Sequence, residues 1–181
     1  MFNLNIIKIL LLILSFTLKL NAISFLQHNT YWLFQNTSSL SKTVLDSIAT
    51  SPYNIPYDKK IEHLSNKYAQ YNPDIIGLIE IDGLNSLNNI NKHLNNSYQV
   101  FTTDNLGQNV GLMIKPTYKI IDSTNIKGKN LKKALHVVIE KDNIKYNVII
   151  IHPISQFEKI ENNKVRNKQF NELYNYINKN I

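Results

Sequence analysis

The sequence predicts an α+β domain: a mixed, mostly antiparallel sheet with flanking helices. Three observations predict it. Asp74-Ile75-Ile76-Gly77-Leu78-Ile79-Glu80-Ile81-Asp82 is a short apolar run that ends in carboxylates, the pattern of a strand buried on both faces. Leu135, Val137 and Ile139 alternate, the tight turn Asp142-Asn143 follows, and residues 147–151 form a second doubly buried run, so the two segments read as an antiparallel hairpin. Helical spacing occurs in Ile61, Leu64 and Tyr68, and again in Phe170, Leu173, Tyr174, Ile177 and Ile181.

The elements follow in order. Residues 1–22 resemble a secretory signal, with an apolar run interrupted by Ser15 and Thr17 and too short to span a bilayer comfortably. Leu20 fits the small-residue rule poorly, which leaves an uncleaved anchor open. The remainder, residues 23–181, reads as one domain, secreted or periplasmic, with no stable membrane span once the signal is removed. Ile23-Ser24-Phe25-Leu26-Gln27-His28-Asn29 is a first strand. Tyr31-Trp32-Leu33-Phe34 is an aromatic cluster that reads as core rather than as a ligand platform. Residues 35–57 show little periodicity and read mostly as loop. The helix through Tyr68 ends at Pro73. Leu84, Leu87 and Leu94 indicate a second helix, residues 98–102 and 110–114 are short strands, and Pro116 stops the latter.

The chain has 181 residues, and its formal charge of +7 falls to +5 when Lys8 and Lys19 leave with the signal. That excess suits a polyanionic partner or a generic basic surface equally. Cysteine is absent, which excludes disulfides, thiol nucleophiles and Cys-ligated zinc.

Three strand ends share a pattern. Apolar runs stop at Asn29, at Glu80 and at His152. An amide oxygen and a carboxylate suit a hard cation such as Mg²⁺. A histidine near neutral pH suits acid–base work. Simpler roles remain open: Asn29 capping a turn, Glu80 opening a loop, His152 as a satisfied buried histidine before Pro153.

The order of these segments resembles the endonuclease/exonuclease/phosphatase superfamily, the DNase I-like proteins. Gln27-His28-Asn29-Thr30-Tyr31-Trp32-Leu33 is similar to that family's strand ending in a metal-site Asn. Asn72-Pro73-Asp74-Ile75-Ile76-Gly77-Leu78-Ile79-Glu80-Ile81 is similar to the strand whose Glu binds the metal. Asn109-Val110-Gly111-Leu112-Met113-Ile114 resembles a central strand, and residues 146–153 resemble the strand ending in the catalytic His. Arg166 and Gln169 stand where the following helix carries an R-x-x-Q pair.

The resemblance implies a DNase I-like α/β sandwich and a hydrolase of phosphodiesters or phosphomonoesters. Asn29 and Glu80 would hold Mg²⁺ (or Mn²⁺ or Ca²⁺), His152 would be catalytic, and Arg166 and Asn109 would contact the substrate, a phosphate ester or nucleic acid. No Asp-x-Asn follows His152 and no Asp-His dipeptide occurs. The chain therefore resembles the first half of the sandwich, with independent activity reduced or lost. Half a sandwich would leave apolar faces uncovered, so a second polypeptide or self-association is expected to complete it. The alternative is a non-catalytic module that binds nucleic acid or phosphorylated ligands. A non-functional fragment is the third reading.

Overall fold

The computed structural model describes residues 22–35, 42–51, 55–105, 107–154 and 160–181. The expected signal, apart from Ala22, lies outside them. Strands β1 (Phe25–Leu33), β2 (Ile75–Ile81), β3 (Gln99–Thr102) and β4 (Asn109–Ile114) form one sheet in the order β1-β2-β4-β3. Strands β5 (Lys119–Asn125), β6 (Ala134–Lys141) and β7 (Ile144–Ile151) form a second, in chain order. Helices α1 (Lys42–Ala49) and α2 (Tyr57–Tyr71) connect β1 to β2, which pair in parallel; every other pairing is antiparallel. Helix α3 (Leu84–His93) follows β2, and α4 (Ile160–Asn180) follows β7.

The layers run helix, sheet, sheet, helix. Ile75, Val110, Leu112 and Ile114 of the first sheet meet Leu135, Val137, Ile139 and Ile150 of the second in one buried cluster. The other face of the first sheet lies under α2 and α3, where Leu64, Tyr68, Leu87 and Ile90 pack on Ile76, Leu78 and Met113. Gly111 allows that approach, because a Cβ there would lie 2.7 Å from Leu87 Cδ1 and 2.8 Å from Ile81 Cδ1. Leu173 and Tyr176 of α4 cover Ala134, Ile149 and Ile151 on the outside of the second sheet. The expectation of bare sheet faces is corrected here. This one chain supplies strands to both layers, and their inner faces cover each other.

Other expectations change as well. Residues 42–49, read as loop, are helical: Val44, Leu45, Ile48 and Ala49 stand at i, i+1, i+4 and i+5, a helical spacing confined to two turns. Strand β5 shows no clean alternation in the sequence because a register shift between Ile120 and Asp122 breaks it. Residues 147–151 are not doubly buried: β7 is an outer strand, and Ile150 alone is fully covered. In α4 the docked face is Gln169, Leu173 and Tyr176, whereas Phe170, Tyr174 and Ile181 of the expected face are exposed. The β6–β7 hairpin does turn at Asp142-Asn143, with φ of 52° and 62°, the left-handed pair a two-residue type I′ turn requires.

Candidate active site

The topology carries five segment ends to one place. Strands β1 and β2 run in parallel, so Asn29 and Glu80 travel toward the same end; β4 runs against them and begins there at Asn109. In the second sheet β6 begins and β7 ends on that side. The His152 backbone N–H donates to the Lys133 carbonyl at 2.9 Å, extending the β6–β7 ladder by one step. Glu80, Gln108, Lys133 and His152 together line a cleft of about 370 Å³, with Trp32 and Gln169 on its walls.

A doubly buried strand cannot deliver a carboxylate unless its pleat is broken. Both ladders of β2 shift register at Glu80: Ile79 pairs with Val110 and Ile81 with Asn109, while on the other side Asn29 pairs with Ile79 and Leu33 with Ile81. Glu80 is the extra residue of this bulge and has φ of 65°. Bulges of this kind re-aim a side chain next to active sites. Thr30, 2% exposed, donates its hydroxyl to the carbonyls of both Ile79 and Glu80 at 3.0 Å, satisfying acceptors that the broken ladder leaves. Asp82 holds the far side: it accepts the Gln35 N–H at 2.8 Å and donates its own N–H to Leu33 O at 3.0 Å.

The Glu80 carboxylate is held at one oxygen. Asn29 Nδ2 donates to Oε1 at 2.9 Å, and the Asn29 amide is fixed in turn because Oδ1 accepts the Tyr31 N–H at 2.9 Å. His152 Nε2 lies 3.5 Å from the same Oε1. Glu80 Oε2 and His152 Nδ1 are buried without a hydrogen-bond partner. Two lysines flank the group: Lys133 donates to Gln108 Oε1 at 2.7 Å and Lys60 to Tyr31 O at 2.5 Å. Burial pushes both ammonium groups below the ordinary lysine value, with the Glu80 carboxylate pulling the other way. His152 is also lowered, by burial first and then by Lys133, against the opposing pull of Glu80. Burial and Lys133 thus favour the neutral imidazole, the form that can take up a proton.

Among the described residues no cluster of three or more His, Asp or Glu could hold a metal ion. A single carboxylate still fits Mg²⁺, which keeps several waters and is commonly held by one or two carboxylates plus substrate phosphates. Glu80 Oε2, buried and unpartnered, is the atom free to serve.

Neither a family model nor a curated protein sequence matches the chain. Solved structures do. TDP2 from Caenorhabditis elegans superposes with a TM-score of 0.63 at 14% identity, over 87% of this chain and 42% of that one. D. rerio TDP2, complexed with single strand DNA product, gives 0.58 at 18%, over 88% and 56%. A beta toxin variant from Staphylococcus aureus gives 0.61 at 16%, over 88% and 62%. The fold is DNase I-like. The chain spans about half the length of the solved structures it matches.

Within this DNase I-like fold the expected residues separate into two groups. Asn29, Glu80 and His152 come together. Asn109 does not reach the cleft as a ligand. It is 2% exposed and its amide is saturated: Oδ1 accepts from Thr103 Oγ1 and Asn105 N at 2.9 Å, and Nδ2 donates to the carbonyls of Asn105 and Gly107 at 3.0 Å. Its role is to tie the loop between β3 and β4, a correction to the expectation of substrate contact. Arg166 is half-buried on α4, and the helix residue that lines the cleft is Gln169, nearly one turn further on. Gln169 accepts the Ile154 N–H at 3.0 Å and donates to Asn130 O at 3.1 Å, tying the segment after His152 to the loop before β6.

Sequence reasoning missed Thr30, Lys60, Lys133 and Trp32. Lys133 had one usable signal: it lies two residues before Leu135, where the expected hairpin begins, and counting pairs back from the Asp142-Asn143 turn sets it opposite His152. The aromatic cluster divides two and two. Leu33 and Phe34 are core at 0% and 8% exposure, while Tyr31 is 47% exposed and Trp32 stands in the cleft wall.

Proposed function

We propose that the chain carries the metal- and phosphate-binding part of a divalent-metal-dependent phosphoesterase, hydrolysing phosphodiester or phosphomonoester bonds in the manner of a nuclease. The observation that carries the reading is the pair of buried, unpartnered atoms Glu80 Oε2 and His152 Nδ1 in one cleft with Lys133. Glu80 would hold Mg²⁺ (or Mn²⁺ or Ca²⁺) with Asn29 as the second ligand through Oδ1, which accepts the Tyr31 N–H and keeps another lone pair, while Asn29 Nδ2 orients the carboxylate through Oε1. A bound metal ion neutralises charge on a phosphate oxygen. The Lys133 ammonium supplies a charged donor for a second phosphate oxygen. His152, whose neutral form burial favours and whose Nδ1 has no hydrogen-bond partner, accepts or delivers the proton. Gln169 and the bulge at Glu80 keep these groups in register.

Residues 1–22 would direct the protein out of the cytoplasm, giving a secreted or periplasmic location. No helix among the described residues is long and apolar enough to cross a membrane. A second polypeptide, or a second copy, would complete the sandwich along the outer strands β1 and β7. Its support is that β1 and β7 are edge strands, each paired on one side among the described residues.

The test is hydrolysis of bis(p-nitrophenyl) phosphate in Mg²⁺. Glu80→Gln should abolish it. Asn29→Ala should weaken metal affinity about 10–100-fold, as loss of an orienting partner does. Undiminished hydrolysis by Glu80→Gln overturns the assignment. The second reading, a module that binds nucleic acid or phosphorylated ligands without turnover, draws on the lack of a multi-ligand cluster among the described residues. It predicts salt-sensitive DNA binding with no hydrolysis in Mg²⁺.

A further inference from the structure

Among the described residues β1, β3, β5 and β7 each have one unpaired edge. An open edge is a template for another strand, and folds commonly blunt it with shortness, a bulge or charge. Three of these edges are blunted. Strand β1 shifts register between Asn29 and Leu33, β3 has 4 residues, and β5 shifts register between Ile120 and Asp122. Strand β7 has no such device. It pairs with β6 over all 8 of its residues without a shift, is rich in isoleucine and valine, and carries one charge, Lys145.

The ladder also fixes which backbone groups are open. In an antiparallel pair, alternate residues of a strand bond to the neighbour and the others point away. Across the two-residue turn Lys141 and Ile144 form a bonded pair, and every second pair from there is bonded too. The His152 N–H, which donates to Lys133 O at 2.9 Å, falls on the same set. The even-numbered residues of β7 therefore bond to β6. Lys145, Asn147, Ile149 and Ile151 turn their N–H and C=O groups outward, where no described strand meets them.

Helix α4 leaves a second open feature on that side. Gln169 bonds to Ile154 and Asn130, and Tyr176 bonds to His136, so α4 runs down the sheet along β6 and β7. On one flank Glu172 accepts the Asn130 and Leu131 N–H groups at 3.0 and 2.8 Å, in the loop that follows β5. The other flank faces the β7 side. There Phe170, Tyr174 and Ile181 are exposed, and at about 100° per residue they form one stripe about 40° wide.

We propose that the β7 edge and this stripe bind a second copy of the chain about a two-fold axis through Val148. This rests on the reading above that a further chain completes the sandwich, and not on the chemistry at Glu80. One register uses the whole edge. With Val148 opposite itself, Lys145 pairs with Ile151 and Asn147 with Ile149 in both directions, so every outward N–H and C=O group of β7 is bonded. An axis at Asn147 leaves Ile151 over, and one at Ile149 sets Lys145 opposite Pro153, which has no N–H. The chosen register also puts the two Lys145 ammonium groups at opposite ends of the pair. The axis stands perpendicular to the sheet, so both α4 helices lie on one face and their stripes meet across it. An unrelated strand would bond the edge and leave the stripe open. A lipid surface would take the stripe and leave the edge unbonded. The contact is isologous and the other edges are blunted, so assembly stops at two.

The test is amide hydrogen exchange of the full chain, read residue by residue by NMR across a wide range of protein concentration, with sedimentation velocity in parallel. The amides of Lys145, Asn147, Ile149 and Ile151 should exchange freely in dilute protein and slow by about ten-fold or more as the dimer forms. Those of Tyr146, Val148 and Ile150 should stay protected throughout. Phe170→Lys with Tyr174→Lys, both at exposed positions, should weaken dimerisation about ten-fold and leave the melting midpoint of dilute protein unchanged. The chain has no cysteine, so single substitutions report the register. Val148→Cys should cross-link to its own copy, because directly opposed non-bonded residues lie about 4.5 Å apart at Cα, within disulfide reach, and Lys145→Cys should not. A chain that stays monomeric overturns the proposal, as does protection that ignores concentration, the sign of a segment of the same chain on the edge. Assemblies that grow past two, or cross-linking at Lys145→Cys in place of Val148→Cys, overturn it as well. Ester hydrolysis is assayed separately, so failure of either idea is visible without the other.

Discussion

Thr30→Val tests whether the bulge at Glu80 is held by a single hydroxyl. Valine has nearly the shape of threonine, so the exchange leaves the packing intact and removes only the donor. Thr30 is 2% exposed and its hydroxyl stands 3.0 Å from the carbonyls of Ile79 and Glu80. The exchange takes from both carbonyls the donor they share. Stranding a buried acceptor costs about 1–3 kcal/mol, which for a domain of this size lowers the melting midpoint by about 2–12 °C. The same change should loosen the φ of 65° at Glu80 and reduce Mg²⁺-dependent hydrolysis along with stability. Thr30→Ser removes a methyl group but keeps the donor, so it should lose stability while sparing hydrolysis. Thermal melts followed by circular dichroism, with ester hydrolysis in parallel, read both. A valine variant that melts within a degree of the parent and hydrolyses as well would show that the hydroxyl does not hold the bulge.

Two further outcomes are expected. Gly111→Ala puts a methyl 2.7 Å from Leu87 Cδ1 and 2.8 Å from Ile81 Cδ1, and the overpacking should destabilise by about 1–3 kcal/mol, read as a lower urea midpoint with an unchanged slope. Stability should also fall in acid. For Asp74 and Glu172 burial opposes the charged form. The hydrogen bonds from Ser24 to Asp74, and from Leu131 and Asn130 to Glu172, outweigh it and hold both carboxyls below their ordinary range. A depressed folded-state pKa contributes stability that is present above the ordinary carboxyl value and is lost as pH falls through the folded one. Melting midpoints measured from pH 6 down to pH 3 should therefore drop less steeply in a double Asp74→Asn, Glu172→Gln variant than in the parent; parallel curves count against these contacts.

The elements that could be read from the sequence are those whose side chains obey one period. The buried run of β2, the β6–β7 hairpin with its Asp-Asn turn and the inner face of α2 each satisfy a simple template, and each formed as expected. The elements that could not be read break their period for a reason. Strand β5 carries a register shift, α1 is too short, and the outward face of α4 is as apolar as the inward one. Of the site, Asn29, Glu80 and His152 were legible because each ends an apolar run. Thr30 and Lys133 were not, because their roles arise from a bulge and from strand pairing, which a linear pattern does not encode. Asn109 misled for the converse reason: a polar residue beginning a buried strand is as well suited to closing its own loop as to meeting a ligand.

The disposition of buried polar atoms says which part of this site is finished. Around Glu80 the structure satisfies what it needs for shape. The bulge carbonyls have Thr30, the Asn29 amide has Tyr31 and Glu80, and Gln169 bonds in two directions. Of the buried side-chain atoms left without a partner among the described residues, Glu80 Oε2 and His152 Nδ1 belong to residues that line one cleft, and Tyr118 Oη and Asn125 Oδ1 lie elsewhere. Leaving a buried acceptor or donor unpaired costs about 1–3 kcal/mol, and more for a charged one, so native folds keep few such atoms without a use for them. A purely structural carboxylate–histidine pair would be expected to turn those atoms toward each other or toward a backbone donor. Here Asn29 and the Glu80 bulge hold the pair through Oε1 alone, which keeps the second oxygen and the second ring nitrogen available. That asymmetry is what a site awaiting a cation and a phosphate requires, and it depends on contacts that this chain makes by itself.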